Sequence, residues 1–230
     1  MSPRHPASTP VTTPASTAAS TPVTLLVIAK EPVPGRVKTR LTPPYTPREA
    51  AALAEAALAD TLHTVLRAPA RRRVLVLDGA PGPWLPPGFD VVRQETGGLD
   101  ERIAAAFVGC DRGPALLVGM DTPQLTVDLL SEAGHGGHDA WFGPAADGGF
   151  WALGLADPGL APELVRGVPM STDRTGATQR RRLVEAGLSV SDLPVLRDVD
   201  TAADAAAVAA CCPPGSCFAT TLNSLARASR

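Results

Sequence analysis

Residues with anion-binding chemistry follow the first apolar segment of the chain. Residues 23–29 are an apolar run that is too short to span a membrane. Its β-branched residues predict a buried strand. The loop after it carries Lys30, Gly35, Arg36, Lys38 and Arg40. A basic loop with glycine at the carboxyl end of a first strand is typical of a site for an anion, most often a nucleotide phosphate. A solvated, charged turn is the alternative interpretation.

Carboxylates end two later apolar segments. Asp121 closes the run 115–120, and Asp198 and Asp200 flank Val199 at the end of a predicted strand, residues 193–199. Residues two apart in extended backbone face the same way, so Asp198 and Asp200 are expected to project together while Val199 points into the core. Carboxylate oxygens suit Mg²⁺ or Mn²⁺, which would also contact nucleotide phosphates. Capping of the following segments is the alternative role for Asp121 and Asp200.

Alternating strand and helix patterns must position these groups. Strands are predicted at 23–29, 74–77, 91–92, 115–120, 140–143, 149–155 and 193–199. One helix is predicted to begin at Pro47, where Thr46 and Glu49 have the spacing of a capping box. Further helices are predicted at 99–107, 128–131, 160–165 and 175–186, and after Thr201. This alternation predicts an α/β fold with a mostly parallel, doubly wound sheet. Ligands bind beyond the carboxyl ends of such strands, where the basic loop and the carboxylates would meet.

Composition limits the function classes and the domain organisation. The chain has 230 residues and a net charge of −2, which argues against a dedicated nucleic-acid or membrane binder. The four cysteines lack the paired spacing of a zinc site, so free thiols and a cytoplasmic location are expected. Residues 1–22 are mostly Ser, Thr, Pro and Ala, which predicts a disordered tail. Residues 23–230 are then predicted to form one domain.

Four segments in order carry a resemblance to a known family. The segments KEPVPGRVKTRL, GMDTPQL, GPAADGGFWALGL and DVDTAAD resemble the GT-A-like transferases associated with radical-SAM/selenodomain gene clusters. The pattern is also similar to the 2-phospholactate or phosphoenolpyruvate guanylyltransferases and, more distantly, to the molybdenum-cofactor guanylyltransferase. The resemblance covers about residues 23–210 and implies a three-layer α/β/α domain of the nucleotide-diphospho-sugar transferase type. The first loop departs from the Gly-Gly-x-x-x-Arg-x-Gly-x-x-Lys form of sugar nucleotidyltransferases.

The resemblance also implies roles for individual residues. Those implied to contact the nucleotide phosphates are Gly35, Arg36, Lys38 and Arg40. Those implied to bind a metal are Asp121 and the closing acidic pair, Asp198 and Asp200. Those implied to hold the acceptor are Asp147, Gly148, Gly149, Ser171 and Thr172. Those expected near the base and ribose are Asp78, Gly79 and Gln94.

Two reactions remain open at this point. Lys38, Arg36 and Arg40 supply more positive charge than a nucleotide-diphosphate sugar requires, which favours transfer of an NMP group from an NTP with release of pyrophosphate. The acceptor would be a small anionic molecule such as a phosphate, phosphonate or arsonate, which needs no strong base. In this hypothesis Lys38, Asp121 and Asp200 are catalytic, and Mg²⁺ or Mn²⁺ is the cofactor.

Glycosyl transfer from a nucleotide sugar is the alternative, because the same fold serves both reactions. An inverting glycosyltransferase needs a base for the acceptor hydroxyl, and Asp147 is the candidate for it. A nucleotide-binding regulatory domain without catalysis is a third hypothesis, which the presence of Asp121, Asp198 and Asp200 disfavours.

Overall fold

The computed structural model describes residues 22–110 and 113–228. All of the predicted disordered tail except Pro22 therefore lies outside the described residues. None of the described helices combines the length and the apolar character that crossing a membrane requires.

Seven strands of the described residues form one mixed sheet. The strands are β1 (Thr24–Lys30), β2 (Arg72–Asp78), β3 (Asp90–Arg93), β4 (Ala115–Gly119), β5 (Ala140–Pro144), β6 (Phe150–Leu155) and β7 (Val190–Asp192). Their order is β3-β2-β1-β4-β6-β5-β7, and only β6 runs antiparallel to its neighbours. The predicted mostly parallel sheet is confirmed. Because β6 is reversed, its first residues lie at the same edge as the carboxyl ends of the parallel strands.

Helices cover both faces of this sheet. They are α1 (Pro47–Arg67), α2 (Leu99–Val108), α3 (Val127–Ser131), α4 (Ala161–Val165), α5 (Thr175–Glu185), α6 (Ala202–Cys211) and α7 (Cys217–Ala228). Short 3₁₀ turns span Thr39–Leu41 and Pro158–Leu160. Leu25 and Val27 of β1 pack with α1 and α3, whereas Leu26 packs with α2, α4 and α5. This alternation along one strand builds two apolar cores and the three-layer arrangement.

Helix α1 carries buried apolar residues on two sides, because the sheet covers one side and helices α6 and α7 cover the other. Thr46 and Glu49 form the predicted capping box, and Pro47 is the first helical residue. Leu58 packs on the sheet, while Leu53 packs in a third core with residues of α6 and α7. Burying both sides leaves α1 as a middle layer between the sheet and the two C-terminal helices.

The two C-terminal helices are fixed by side-chain caps. On α1, Asp60 accepts hydrogen bonds from the backbone N–H groups of Cys217 (2.8 Å) and Phe218 (2.9 Å) and from the Ser216 hydroxyl (2.7 Å). Thr201 and Asp204 form a second capping box at the start of α6, as predicted. Because Thr201 directly follows Asp200, the docking of α6 fixes the chain next to the predicted site.

The predicted strand at 193–199 is wrong. The strand in this region is β7, which ends at Asp192, and the following residues form only one isolated bridge, between Leu196 and Ala145. Pro194 has no N–H to donate to a ladder, and Val195 beside it is 63% exposed. The segment is nevertheless tethered, since the N–H of Val199 donates to the carbonyl oxygen of Asp121 (2.9 Å).

Candidate active site

A cleft of about 670 Å³ opens at the carboxyl ends of β1 and β4 and the first residues of β6. Most residues predicted from separate motifs line it together. They are Lys30, Arg36, Lys38, Arg40, Gln94, Asp121, Asp147, Gly149, Ser171, Thr172, Asp198 and Asp200. Four further predicted residues are not among its lining: Gly35, Asp78, Gly79 and Gly148. The arrangement agrees with the rule that parallel strands present their ligand site at this edge.

Lys38 is held with its ammonium group inside the cleft. Its Nζ lies 2.8 Å from Asp121 Oδ2, and only 10% of its side chain is exposed. The flanking residues Val37 and Leu41 are buried in two different apolar cores, which anchors the loop on both sides of Lys38. The loop therefore presents one nearly buried cation to the carboxylate at the end of β4.

Backbone conformation also marks the cleft. Among the described residues, Lys38 (φ 48°) and Ser171 (φ 58°) are the non-glycine residues with positive φ, and both line the cleft. The left-handed region costs a non-glycine residue roughly 1–2 kcal/mol, and such strain is concentrated at functional sites.

Arg40 forms a second ion pair at the mouth of the cleft. Its guanidinium nitrogen lies 2.5 Å from Asp200 Oδ2, although 73% of the Arg40 side chain is exposed. The hydrogen bond and the charge of Asp200 raise the pKa of Arg40, and the charge of Asp147 adds to this. Two basic side chains of the first loop thus face two carboxylates from distant parts of the chain.

Asp198 is the buried member of the acidic cluster. Burial, followed by the negative charges of Asp121, Asp147 and Asp200, raises the pKa of Asp198 to about 7, while the charge of Lys38 opposes this rise. The Oδ1 atoms of Asp198 and Asp121 are buried and have no hydrogen-bond partner in the described structure. Each leaves an acceptor oxygen free for a cation or a donor.

Replacing Asp198 with asparagine is expected to stabilise the metal-free protein at alkaline pH. The pKa of Asp198 rises from 3.8 to about 7 on folding, so its proton is held in the folded state and lost from the unfolded state between these values. Wild-type stability should fall across this range by about 4 kcal/mol through this one group. The free energy of unfolding, measured with denaturant from pH 4 to pH 8, should increase in the Asp198→Asn variant relative to the wild type as the pH rises. A constant difference between the two proteins would contradict the assignment.

Two of the three predicted metal ligands offer an oxygen without a partner. The Oδ1 atoms of Asp121 and Asp198 are suitable hard donors, while Asp121 Oδ2 pairs with Lys38 and Asp200 Oδ2 pairs with Arg40. Among residues 22–110 and 113–228, no group of three or more His, Cys, Asp or Glu side chains is arranged to hold a metal ion. Mg²⁺ commonly takes one or two carboxylates and completes its coordination with water and substrate phosphates, and this cleft fits that pattern.

The predicted acceptor residues form a tight turn against the loop before α5. The N–H of Gly149 donates to Asp147 Oδ1 (2.8 Å), and the N–H of Gly176 donates to the carbonyl oxygen of Gly148 (2.8 Å). At Gly148, where φ is +89°, a Cβ atom would lie 2.1 Å from the carbonyl oxygen of Asp173. Gly148 thus permits this close approach rather than lining the cleft, and it brings Asp147 beside the loop that carries Ser171 and Thr172.

The residues expected near the base have different surroundings. Asp78 lies 3.8 Å from Lys30 Nζ and 4.0 Å from the Arg102 guanidinium group. A Cβ atom at Gly79 would collide with the side chain of Glu31, so the glycine makes room for that residue. Gln94 lines the cleft and bonds to the ends of two strands.

Sequence reasoning missed five polar residues of the cleft: Thr39, Arg102, Thr122, Asp173 and Thr175. Arg102 lies three residues after Leu99, on the same side of α2, and both line the cleft. Helical spacing from the first apolar residue of α2 was the available signal. Thr122 and Asp173 directly follow the predicted Asp121 and Thr172, so sequence adjacency would have included them.

The fold is that of the α/β GT-A-like nucleotidyltransferases, as predicted. The chain belongs to the family described as uncharacterized protein conserved in bacteria (DUF2064), whose profile matches residues 52–172. This match starts after the basic loop and stops before Asp198 and Asp200. None of the curated proteins matches the chain.

Solved structures extend the comparison. One from Desulfovibrio desulfuricans, assigned provisionally as a nucleotide-diphospho-sugar transferase, is 27% identical, with a TM-score of 0.70 over 78% of this chain and 82% of the other. The 2-C-methyl-D-erythritol 4-phosphate cytidylyltransferase of Thermus thermophilus is 14% identical, with a TM-score of 0.52 over 87% and 99%. A Mycobacterium tuberculosis protein in complex with manganese is 21% identical, with a TM-score of 0.50 over 82% and 98%. The radical-SAM/selenodomain grouping stays a resemblance.

Proposed function

We propose that this protein is a metal-dependent nucleotidyltransferase that moves an NMP group from an NTP to a small anionic acceptor. The observation that carries the proposal is the pairing of Lys38 with Asp121 and of Arg40 with Asp200 inside one cleft. An incoming triphosphate offers these cations a more highly charged partner than a carboxylate. Lys38 and Arg40, with Arg36 beside them, then stabilise the charge that develops on the α-phosphoryl group and on pyrophosphate.

The chemistry of the step requires little from the protein beyond positioning. An oxygen of the acceptor anion forms a bond to the α-phosphorus, the bond from that phosphorus to the β-phosphate oxygen breaks, and the electron pair leaves with pyrophosphate. An acceptor such as a phosphate, phosphonate or arsonate is already ionised, so no proton has to be removed. This agrees with a lining that, for the described part of the chain, includes no histidine.

The carboxylates supply the second half of the site. A bound Mg²⁺ or Mn²⁺ would neutralise phosphate charge, and the residues proposed to hold it are Asp121 and Asp198, with Asp200 as a third predicted ligand. The free oxygens of Asp121 and Asp198 support this assignment. The manganese complex of the Mycobacterium tuberculosis protein shows that a protein of this fold takes such an ion.

The same site also supports a second candidate, glycosyl transfer from a nucleotide sugar. The provisional assignment of the Desulfovibrio desulfuricans structure favours it, and Asp147 lines the cleft as the candidate base. The fold similarity to the Thermus thermophilus cytidylyltransferase favours nucleotidyl transfer instead. The number of cations around Lys38 leads us to prefer the nucleotidyl reaction.

Release of pyrophosphate is the direct test. Each NTP is incubated with the protein, Mg²⁺ and phospho-, phosphono- and arsono-acids in turn, and pyrophosphate is measured with an enzyme-coupled assay. We expect pyrophosphate only when an NTP, an acceptor and Mg²⁺ are all present. Absence of pyrophosphate with every acceptor, together with release of a nucleoside diphosphate from a nucleotide sugar, would establish the glycosyl reaction instead.

A further inference from the structure

Arg102 is a basic residue of the cleft that lies outside the basic loop of Lys30, Arg36, Lys38 and Arg40. Its side chain is 22% exposed and lines the cleft from α2. One terminal nitrogen donates to Gln94 Oε1 (2.9 Å), and its Nε atom is buried without an acceptor in the described structure. A buried N–H group without a partner points to a missing acceptor, because native proteins pair nearly all such groups.

Gln94 holds this guanidinium group in place. Its Nε2 atom donates to the carbonyl oxygens of Ala29 (2.7 Å) and Val76 (3.1 Å), so both amide protons are used on strands β1 and β2. Its Oε1 atom accepts from Arg102. With its donors occupied by the sheet, Gln94 is a positioning residue for Arg102, which leaves Arg102 as the group that meets a ligand.

The surroundings of Arg102 combine one carboxylate with apolar side chains. The guanidinium group lies 4.0 Å from Asp78 Oδ2, and Asp78 does not line the cleft. The apolar side chains that line the cleft on the α2 face of the sheet are Ile28, Leu99, Ile103, Leu117, Phe150 and Met170. Apolar side chains thus line the cleft on the side of Arg102, together with Lys30, whose Nζ lies 3.8 Å from the same Asp78 carboxylate. Apolar walls with a few fixed polar groups suit a planar ring that carries an acceptor atom.

We propose that Arg102 is a specificity-determining residue that donates a hydrogen bond to a carbonyl oxygen of the nucleobase. The inference rests on the proposed function only in taking a nucleotide as the ligand. A guanidinium group has donors and no acceptor, so it selects for acceptor atoms on the ring. Guanine, cytosine and uracil carry carbonyl oxygens, whereas adenine has none and offers only ring nitrogens. We therefore expect an oxo-base to bind more tightly than adenine.

Binding titrations separate the base from the phosphates. GTP, CTP, UTP, ATP and inorganic tripolyphosphate are titrated calorimetrically into the protein with Mg²⁺ present. At least one oxo-nucleotide should bind more tightly than ATP by on the order of tenfold, which corresponds to one charge-assisted hydrogen bond. The Arg102→Gln variant should lose this preference and keep its affinity for tripolyphosphate within about twofold, since a base contact does not involve the phosphates.

Two further variants complete the test. Arg102→Lys keeps the charge but loses the planar group that Gln94 anchors, and it should lose most of the preference even if Arg102→Gln fails to fold. Arg93→Gln removes an exposed arginine of β3 that does not line the cleft, and it should bind as the wild type does.

Two results would overturn the assignment. Equal weakening of tripolyphosphate and of every nucleotide in Arg102→Gln would identify Arg102 as a phosphate contact. Equal affinity of the wild type for ATP and the oxo-nucleotides would remove the base preference while leaving nucleotidyl transfer standing. If no pyrophosphate is released, the titrations still test the role of Arg102, because they measure binding and not turnover.

Discussion

Replacing Lys38 with glycine is expected to lower turnover by about 10²–10³-fold while the protein stays folded. The loss follows from removing the one nearly buried ammonium group beside Asp121. Glycine is the informative substitution because the backbone at Lys38 has φ 48°, a conformation that glycine adopts without strain. Relief of that strain partly offsets the loss of the ion pair, which leaves the Asp121 carboxylate without its partner, so the free energy of unfolding should fall by about 1–3 kcal/mol.

Lys30 provides the matched comparison. It is the other lysine of the cleft, but its side chain is 52% exposed and its amino group lies 3.8 Å from Asp78. Its Lys30→Ala variant should lose less than about tenfold in turnover, because an exposed charge is weakened by solvent. Initial rates of pyrophosphate release and thermal unfolding should be measured on all three proteins. An equal or larger loss in Lys30→Ala than in Lys38→Gly would refute the central role of Lys38.

The substitution Asp121→Asn is expected to reduce metal-dependent turnover by about 10³-fold. Asparagine keeps the size of the side chain but removes the charge that pairs with Lys38, and its neutral amide oxygen is a weaker metal ligand than the carboxylate of Asp121. Loss of metal-assisted charge neutralisation is worth several kcal/mol in the transition state, which gives the expected magnitude. The N–H of Val199 donates to the backbone carbonyl of Asp121, a contact that this substitution leaves intact.

Two measurements make this second result specific. The affinity for Mn²⁺, measured by electron paramagnetic resonance with nucleotide present, should fall in Asp121→Asn by on the order of tenfold or more. The variant Asp128→Asn changes an exposed carboxylate on the neighbouring helix α3 and should behave as the wild type in both assays. Wild-type rates in Asp121→Asn, with Mn²⁺ still bound, would show that Asp121 is no metal ligand.

Several parts of the fold could be predicted because their contacts are local. The capping boxes Thr46–Glu49 and Thr201–Asp204 join residues three apart, so the sequence spacing already contains the contact. Apolar runs such as 115–120 end where the strands end, and parallel strands share one ligand-binding edge. The meeting of the basic loop with Asp121 followed from this rule, whereas Asp198 reaches the cleft from a segment that is not a strand.

The incorrect prediction of a strand at 193–199 shows that an apolar run alone does not establish a strand. Residues 193–199 contain enough aliphatic side chains to indicate a strand, but Pro194 cannot donate to a ladder. The chain instead reaches the sheet through single contacts, such as the N–H of Leu193 to the carbonyl oxygen of Phe142 (2.8 Å). Val199 is still buried, as predicted, because it packs with residues of α1 and α6.

The sequence by itself determined the order of the elements, the edge of the sheet that carries the site and the charges available there. Only the tertiary structure decided how those charges are partnered: Lys38 with Asp121, Arg40 with Asp200, and Arg102 with Gln94. Element type depends on the backbone periodicity of neighbouring residues, which a sequence displays directly. Partner choice depends on which distant side chains the packed layers bring within hydrogen-bond distance, and Gln94 illustrates this by bonding to Ala29, 65 residues away.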